Sequence, residues 1–453
     1  MTLSGIIDRI APSSFHRGHP ILVLLALLLI TGWALTKLSV PTSVSRIPET
    51  LITLFFLFAI ARNWRVMRHQ PLVWMLGITV LLPPLLLSVN YLIDPESAMR
   101  FFGGERFVRL LFFLPIAWFL GGNLRTTMYF LALVFLGYMI SILINSDILN
   151  LISNILIGQR ADFGILNAQH QAMYFGISFL GALCFIGLHR LNSNPAIRGI
   201  ALATCILIAV ISFLGIVATT TRAVWLGIAL CTIVTCLFLM WCIIKDPKYR
   251  KIGASLLSVV VVSSGALTLL FSDRIISRFE AEMGTIGLLF EGDLTAIPPN
   301  STGLRIHSWI IATDWIAERP LTGWGEKIRT HAINSSPGSS DLQMRNIEHF
   351  HNSYFEFGIA YGLIGVLALL SIFAWINFKT WQITQQDDEN KPVFYFTALG
   401  TIFLLFINLF ESYWFFWSGA FITSVTYAPA ATIILRNHLQ GISENRKKTS
   451  QAN

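Results

Sequence analysis

Two arginines and one histidine share an unusual position, because each stands at or near the start of a predicted helix. Arg222 follows three threonines, Arg305 lies in the first turn of a helical pattern, and His351 precedes a long apolar run. A helix N-terminus has free N–H groups and a partial positive charge, so an arginine there is unfavourable on its own. The same position binds anions well, and guanidinium groups bind phosphate oxygens in pairs. The three residues therefore indicate a phosphate or pyrophosphate site with a histidine available as general base.

Each of these residues also has an ordinary structural interpretation. Arg222 could extend toward lipid headgroups, and Arg305 could be a solvated residue on an amphipathic helix. A single histidine at the end of an apolar run, such as His351, is ordinarily structural. Spacing along the chain does not show whether the three side chains converge.

The composition excludes the common classes of soluble protein. The chain has 453 residues, of which 54% are hydrophobic and 12% are charged. Soluble proteins have about 25% charged residues, roughly twice this share. A soluble enzyme, a disordered protein and a nucleic-acid-binding protein are therefore excluded. The formal net charge of +8 is interpreted as a sign of membrane topology.

Twelve apolar runs have about the length that a helix needs to cross a membrane. They lie at residues 21–36, 49–61, 71–93, 107–122, 126–144, 171–189, 199–218, 223–244, 252–271, 353–377, 393–410 and 413–435. The sequence thus predicts an all-α integral membrane protein with about 12 transmembrane helices. Helices 1–9 are expected in residues 1–271, a loop subdomain in 272–352, helices 10–12 in 353–435 and a tail in 436–453. Within the loop, an amphipathic helix is predicted near 302–318.

The distribution of positive charge predicts the orientation in the membrane. The predicted inner loops hold 18 Lys and Arg residues, whereas the short outer loops hold 6. Positive residues accumulate in cytoplasmic loops. Both termini are therefore predicted in the cytoplasm, and the large loop on the opposite side.

Metal ligands and cofactors are not expected. The predicted outer loops contain no His-x-x-x-His, His-Glu-x-x-His or Asp-x-Asp pattern, and Asp94-Pro95-Glu96 is more typical of a turn. All five cysteines lie in predicted spans, where a cysteine usually acts as a small hydrophobic residue. A disulfide framework is therefore not predicted.

Several motifs resemble those of one family of membrane enzymes. His351-Asn352, followed by nine residues, Gly362, two residues and Gly365, resembles the signature of the O-antigen ligase and polysaccharide polymerase superfamily. Further stretches are similar to the family's other motifs, namely Pro320-Leu321-Thr322-Gly323-Trp324-Gly325, Gly303-Leu304-Arg305 with Trp309, and Thr221-Arg222. The segment from Arg160 to Asn167 is loosely similar but departs from the family's Asn-Pro-Asn, because Ala168-Gln169 follow Asn167. The resemblance covers roughly residues 160–410.

The resemblance implies an integral-membrane glycosyltransferase of the C type in the inner membrane of a Gram-negative bacterium, with its active site facing the periplasm. The implied donor is a glycan on undecaprenyl pyrophosphate, and the implied acceptor is a hydroxyl of lipid A–core. Attack opposite the leaving group would invert the anomeric centre. His351 is then the expected general base, and Arg222 and Arg305 the expected pyrophosphate-binding residues that replace a metal ion.

Five further residues are second-tier candidates for the site, namely Arg160, Arg109, Arg46, Asn352 and Glu411. Glu411 lies between two apolar spans and could orient His351 or an arginine, or be an ordinary loop carboxylate. Arg109 lies within a predicted span and could pair with Glu105 or face the cavity. Two functional alternatives remain: a polymerase that uses a lipid-linked glycan as acceptor, and a secondary transporter. A transporter would predict broken spans and intramembrane charges in paired halves, whereas the polar residues here gather on one face.

Overall fold

The fold is entirely helical in the part of the chain that the structure, a computed structural model, describes. The described residues are 20–157, 159–191, 194–246, 254, 255, 258, 283–285, 287–292, 296–298, 300–335 and 348–452. The first helices in chain order are α1 Pro20–Thr36, α2 Thr42–Arg62, α3 Trp64–Met67, α4 Pro71–Ile93, α5 Pro95–Phe101, α6 Glu105–Arg109, α7 Phe113–Leu120, α8 Leu124–Asn145 and α9 Ile148–Leu156. They are followed by α10 Ala168–Phe185, α11 Pro195–Thr219, α12 Arg222–Lys245, α13 Ser301–Glu318, α14 Ile328–Ser335, α15 Ser353–Thr384, α16 Lys391–Ile407 and α17 Trp417–Ala452.

The described segments include nine helices that are long and apolar enough to cross a membrane, namely α2, α4, α8, α10, α11, α12, α15, α16 and α17. A tenth apolar helix, α1, is shorter at 17 residues. All ten coincide with predicted spans. The prediction of an all-α, multi-pass membrane protein is thus confirmed.

Two of the predicted spans have a different outcome. The run at 107–122 is divided between α6 and α7, because Leu110, Leu111 and Phe112 form hydrogen bonds to carbonyls three residues earlier and turn the chain tightly. Neither α6 nor α7 is long enough to cross a membrane alone. The predicted span at 252–271 lies outside the described residues, apart from the three positions 254, 255 and 258.

The central helix of the bundle is α17. An apolar 18-residue window of α17 is 100% buried inside the protein. The corresponding window of α12 is only 11% buried. Tyr427 of α17 illustrates the packing, since its ring is stacked on Phe373 of α15 with centroids 4.6 Å apart. Helices such as α12 instead expose leucine and isoleucine side chains, as lipid-facing helices do. The bundle therefore has a protein-enclosed centre and a lipid-facing periphery.

The loop helix predicted near 302–318 is α13, Ser301–Glu318. It packs against α15, and with α14 it encloses a small separate hydrophobic core that includes Ile311, Ala312, Ile328 and Phe350. The loop-side elements are thereby fixed on one end of the membrane helices. The division of the chain into a loop subdomain and a terminal tail stays a prediction.

Two glycines bring the Pro320–Gly325 segment against a kink in α15. Gly362 has φ 64° and ψ −169°, a conformation that is almost exclusive to glycine, and Gly323 also has φ 64°. A Cβ on Gly323 would lie 2.6 Å from the Gly362 nitrogen, and a Cβ on Gly362 would overlap the backbone of Leu321. The Leu363 N–H donates to the Pro320 carbonyl at 2.8 Å. Two motifs that are distant in the sequence therefore form one backbone-to-backbone contact.

Candidate active site

One carboxylate and two imidazole rings meet between the N-terminus of α15 and the C-terminus of α16. His349 Nε2 lies 2.6 Å from Glu411 Oε1, and His351 Nδ1 lies 3.1 Å from Glu411 Oε2. The centroids of the two imidazole rings are 3.9 Å apart. These three residues, here named the Glu411 cluster, place one imidazole on each carboxylate oxygen.

The protonation of the Glu411 cluster follows from its hydrogen bonds. The Glu411 side chain is only 2% exposed, and burial alone would raise its pKa. Hydrogen bonds and charge interactions with His349 and His351 outweigh burial and hold the pKa of Glu411 well below its usual value. Glu411 is therefore an acceptor only, and neutral His351 must carry its proton on Nδ1. That tautomer leaves the Nε2 lone pair of His351 able to accept a proton.

The backbone at His351 is held in a left-handed conformation, with φ 51°. Such a conformation is uncommon for residues other than glycine and persists only where the surroundings fix it. On one side, the Phe350 carbonyl accepts a hydrogen bond from Trp309 Nε1 of α13 at 2.9 Å. On the other, the Asn352 N–H donates to Ser412 Oγ at 3.2 Å, and the Asn352 side chain caps α15. Asn352, one of the second-tier candidates, therefore has a structural role: it helps to fix the backbone next to His351.

A second buried carboxylate, Glu356, supports the same segment. Glu356 Oε1 accepts hydrogen bonds from the Phe350 N–H at 3.0 Å and from Ser412 Oγ at 3.1 Å. Arg329 Nη1 of α14 lies 3.6 Å from the same oxygen. Glu356 therefore ties together the chain on both sides of the Glu411 cluster.

Gln169, the second residue of α10, connects the Glu411 cluster to Arg305. With its amide oriented to satisfy both neighbours, the Gln169 nitrogen donates to Glu411 Oε2, and its oxygen accepts from Arg305 Nη2 at 3.2 Å. The Gln169 carbonyl accepts a hydrogen bond from the Tyr413 hydroxyl at 3.1 Å. Arg305 and His351 thus belong to one continuous polar network through Gln169 and Glu411.

Arg305 has a donor that this network does not use. The Arg305 Nε atom is buried, and it has no hydrogen-bond partner in the described part of the chain. An unsatisfied buried donor is costly and requires an explanation. A phosphate oxygen would satisfy it, because two guanidinium N–H groups together match the geometry of phosphate.

Arg160 and Thr221, the residue before Arg222, lie close to the start of α10. Arg222 is the first residue of α12, which has Thr221 as its N-cap. Thr221 Oγ1 lies 3.5 Å from an Arg160 Nη2 donor and 3.4 Å from the carbonyl oxygen of Ala168, the residue before Gln169. The start of α12 is therefore joined to the start of α10, where Gln169 contacts Arg305.

The remaining second-tier arginines belong to a different place. Arg46 Nη2 lies 3.0 Å from Glu105 Oε1, and Arg109 also pairs with Glu105. Of the two alternatives for Arg109, the structure shows the pairing with Glu105, and Arg109 also lines a cavity separate from the Glu411 cluster. Neither arginine has a described hydrogen bond or ion pair with the Glu411 cluster.

Sequence reasoning missed His349 and Gln169. His349 stands two residues before His351, and this His-x-His spacing was the available signal. Gln169 occupies a position where the family motif differs, so the motif gave no reason to select it. Its part in the network depends on Glu411 and Arg305, which are both distant in the sequence.

The three side chains of the Glu411 cluster could also bind a divalent cation. The candidate ligand atoms of His349, His351 and Glu411 all lie within 4.8 Å of one another. A cation held by all three would have to replace the hydrogen bonds that Glu411 now accepts from both imidazoles. The expectation of no metal ligands rested on other spacings and did not consider 349–351.

Fold and site together define a multi-pass helical membrane protein with a partly buried network of arginine, glutamine, glutamate and histidine at one end of its bundle. Residues 207–370, less than half of the chain, match the family model described as O-antigen ligase. The match contains Arg222, Arg305 and His351, and it confirms the family resemblance drawn from the motifs. It supports a glycosyltransferase activity of the ligase or polymerase type, acting on lipid-linked glycans in a membrane. No curated protein matches the chain.

Proposed function

We propose that the protein is an O-antigen ligase, which transfers a glycan from undecaprenyl pyrophosphate to a hydroxyl of lipid A–core at the periplasmic face of the inner membrane. The observation that carries this proposal is the hydrogen bond from His351 Nδ1 to buried Glu411, within a network that continues to Arg305. Such a network would supply a base and an anion-binding group that Glu411 and Gln169 connect. Those are the two needs of a transfer from a pyrophosphate-linked donor.

The base in this mechanism is His351. The acceptor hydroxyl attacks the anomeric carbon of the donor glycan, and its proton passes to His351 Nε2. Glu411 holds the ring in the correct tautomer and stabilises the imidazolium that forms. General-base catalysis of this kind contributes about 10²–10⁴ in rate.

The leaving group in this mechanism is stabilised by arginines. As the new C–O bond forms, the bond between the anomeric carbon and the pyrophosphate oxygen breaks, with its electron pair remaining on the pyrophosphate. Arg305 and Arg222 bind the developing negative charge, which makes the reaction independent of a metal ion. Attack from the face opposite the pyrophosphate inverts the anomeric configuration. Undecaprenyl pyrophosphate is the second product.

The reaction is tested with purified protein, a lipid-linked glycan donor and lipid A–core. We expect His351→Ala, Arg222→Ala and Arg305→Ala to insert normally in the membrane and to lose most transfer activity. Near wild-type transfer by His351→Ala would end the base assignment. Activity that persists in fresh EDTA supports metal independence, whereas loss that Mg²⁺ restores contradicts it and would favour a cation at the Glu411 cluster.

The polymerase alternative shares the family match and is distinguished in cells. A strain that lacks the gene is examined by its lipopolysaccharide ladder. Core alone, with long lipid-linked glycan accumulating, indicates a ligase. Core that carries a single repeat unit indicates a polymerase.

A further inference from the structure

A second polar site lies in a cavity lined by α1, α2, α4, α6, α7 and α17 and by the segment between α6 and α7, outside the network of Arg305 and His351. The cavity has a volume of about 140 Å³. Its lining combines the charged residues Lys37, Arg46, Glu49 and Arg109 with an apolar part that includes Phe56, Leu76, Leu111, Phe112, Pro115 and Phe421. From this combination we infer that the cavity binds the phosphate-bearing head of the acceptor lipid, with Arg46 and Arg109 holding the phosphate. The acceptor role rests on the proposed ligase function.

One pair of opposite charges at the cavity is balanced. Lys37 is buried and forms a 2.5 Å ion pair with Glu49, which also accepts a hydrogen bond from Trp33 Nε1 at 2.9 Å. That lysine and that glutamate therefore compensate each other.

Arg46 and Arg109 share a single carboxylate, because both pair with the Oε1 atom of Glu105. Two guanidinium groups against one carboxylate leave a positive charge in excess. An excess positive charge at the edge of a cavity attracts anionic ligands. A phosphate would remove the excess with bidentate hydrogen bonds, which suit the guanidinium group.

The arginines are also accessible to a ligand. The Arg46 side chain is 57% exposed and the Arg109 side chain is 24% exposed. Beside them the cavity wall is apolar and aromatic, which suits the hydrocarbon next to a lipid phosphate rather than a free inorganic anion. Amphipathic lining of this kind therefore selects a phosphorylated lipid.

The cavity adjoins the Glu411 cluster through two consecutive residues. Trp417 lines the cavity, and Lys37 Nζ lies 5.5 Å from the centroid of its ring. The preceding residue, Phe416, packs edge-to-face on His349 with centroids 5.1 Å apart. A lipid head in the cavity is thus separated from the cluster by little more than this dipeptide.

The acceptor is assigned here because the proposed reaction needs two lipid substrates. The donor pyrophosphate is already assigned to Arg305 and Arg222, so a separate cationic site is available for the other lipid. Lipid A is a glycolipid with two phosphates, and its charge and hydrocarbon match the two parts of the cavity. The donor lipid is the competing occupant that an experiment must exclude.

The test is equilibrium binding of lipid A to the purified full-length protein in nanodiscs, without donor, so that no transfer occurs. We expect Arg46→Gln with Arg109→Gln to weaken the binding of bisphosphorylated lipid A about tenfold, because one or two charge-assisted hydrogen bonds are lost. Dephosphorylated lipid A should bind equally to the double variant and to the wild type. The matched control is Arg100→Gln, an exposed arginine that does not line the cavity, and it should not change binding.

Glu105→Gln separates phosphate binding from a purely structural ion pair. If the arginines bind phosphate, removing the competing carboxylate leaves lipid A binding unchanged or makes it tighter. A tenfold weakening by Glu105→Gln, like that of the double variant, would overturn the proposal. So would a wild type that does not distinguish lipid A from its dephosphorylated form.

Undecaprenyl phosphate serves as the probe for the competing occupant. If the double variant loses affinity for undecaprenyl phosphate and keeps its affinity for lipid A, the cavity belongs to the donor and the acceptor assignment is wrong. Because binding is measured without transfer, failure of the ligase reaction would be seen separately, in the His351→Ala assay.

Discussion

Glu411 Oε2 lies 3.1 Å from His351 Nδ1, although the two residues are 60 positions apart in the chain. The other oxygen of the same carboxylate lies 2.6 Å from His349 Nε2. A buried carboxylate that holds two imidazoles in this way fixes both ring orientation and tautomer, which a catalytic histidine requires.

Glu411→Gln should lower the turnover number of glycan transfer by about 10²–10⁴, the full contribution of general-base catalysis. A glutamine amide donates a hydrogen bond where the carboxylate accepted one, so one imidazole is forced into the wrong tautomer. Since Glu411 is assigned a positioning role, kcat should fall much more than KM changes. Steady-state kinetics measure both constants, with Glu318→Gln, an exposed glutamate of α13, as the matched control. A rise in KM of similar size, with kcat unchanged, would contradict the positioning role.

Gln169→Ala should reduce transfer about tenfold, the effect of losing one or two hydrogen bonds that connect Glu411 and Arg305. Gln169→Glu should reduce it further, because a second carboxylate would repel Glu411 and neutralise Arg305. Transfer rates of the two variants are compared with those of Gln159→Ala, an exposed glutamine in the preceding loop. Gln169→Glu with the activity of Gln169→Ala or better would argue against the network.

Gly362→Ala should destabilise the protein by at least about 2 kcal/mol, because the backbone conformation at 362 strongly disfavours a side chain. The added Cβ would also overlap the backbone of Leu321. Gly199→Ala in α11 is the matched control, since a Cβ there meets nothing within 4 Å. Gly199→Ala should leave the free energy of unfolding unchanged or raise it by up to about 1 kcal/mol, because alanine has the higher helix propensity. Thermal unfolding in detergent measures both, and equal unfolding temperatures for the two variants would refute the expected contact.

The stability difference between wild type and Glu411→Gln should depend on pH in acid. The folded-state pKa of Glu411 is lowered below 4.5, so its stabilising contribution is fully present above that pH. The contribution is lost as the pH falls through the depressed folded-state pKa, and the two proteins should then approach each other in stability. Unfolding temperatures measured from neutral pH down into this acid range check the direction. A difference that grows as the pH falls below 4.5 would show that the sign is wrong.

Motifs and composition selected residues that the fold brings close together, although their functional roles stay predictions. Arg305 and His351 belong to one network, and Arg222 begins the helix whose N-cap contacts the start of α10. Arg46 and Arg109 were candidates on position alone. The fold pairs both with Glu105, a partner that the sequence had suggested for Arg109 but not for Arg46. Position in a predicted loop predicts the side of the membrane on which a residue lies, but it seldom predicts which neighbours the residue contacts there.

By itself, the sequence determined that this is a multi-pass helical membrane protein, because apolar runs of bilayer length leave few other folds possible. It also selected His351, Arg222 and Arg305 as candidate site residues, because their residue types and local spacing resemble the family motifs. Only the tertiary structure decided that Glu411 serves both His349 and His351, and that Gln169 joins them to Arg305. The physical reason is that helix packing makes these contacts between residues far apart in the chain, and local hydropathy contains no information about which helix ends meet.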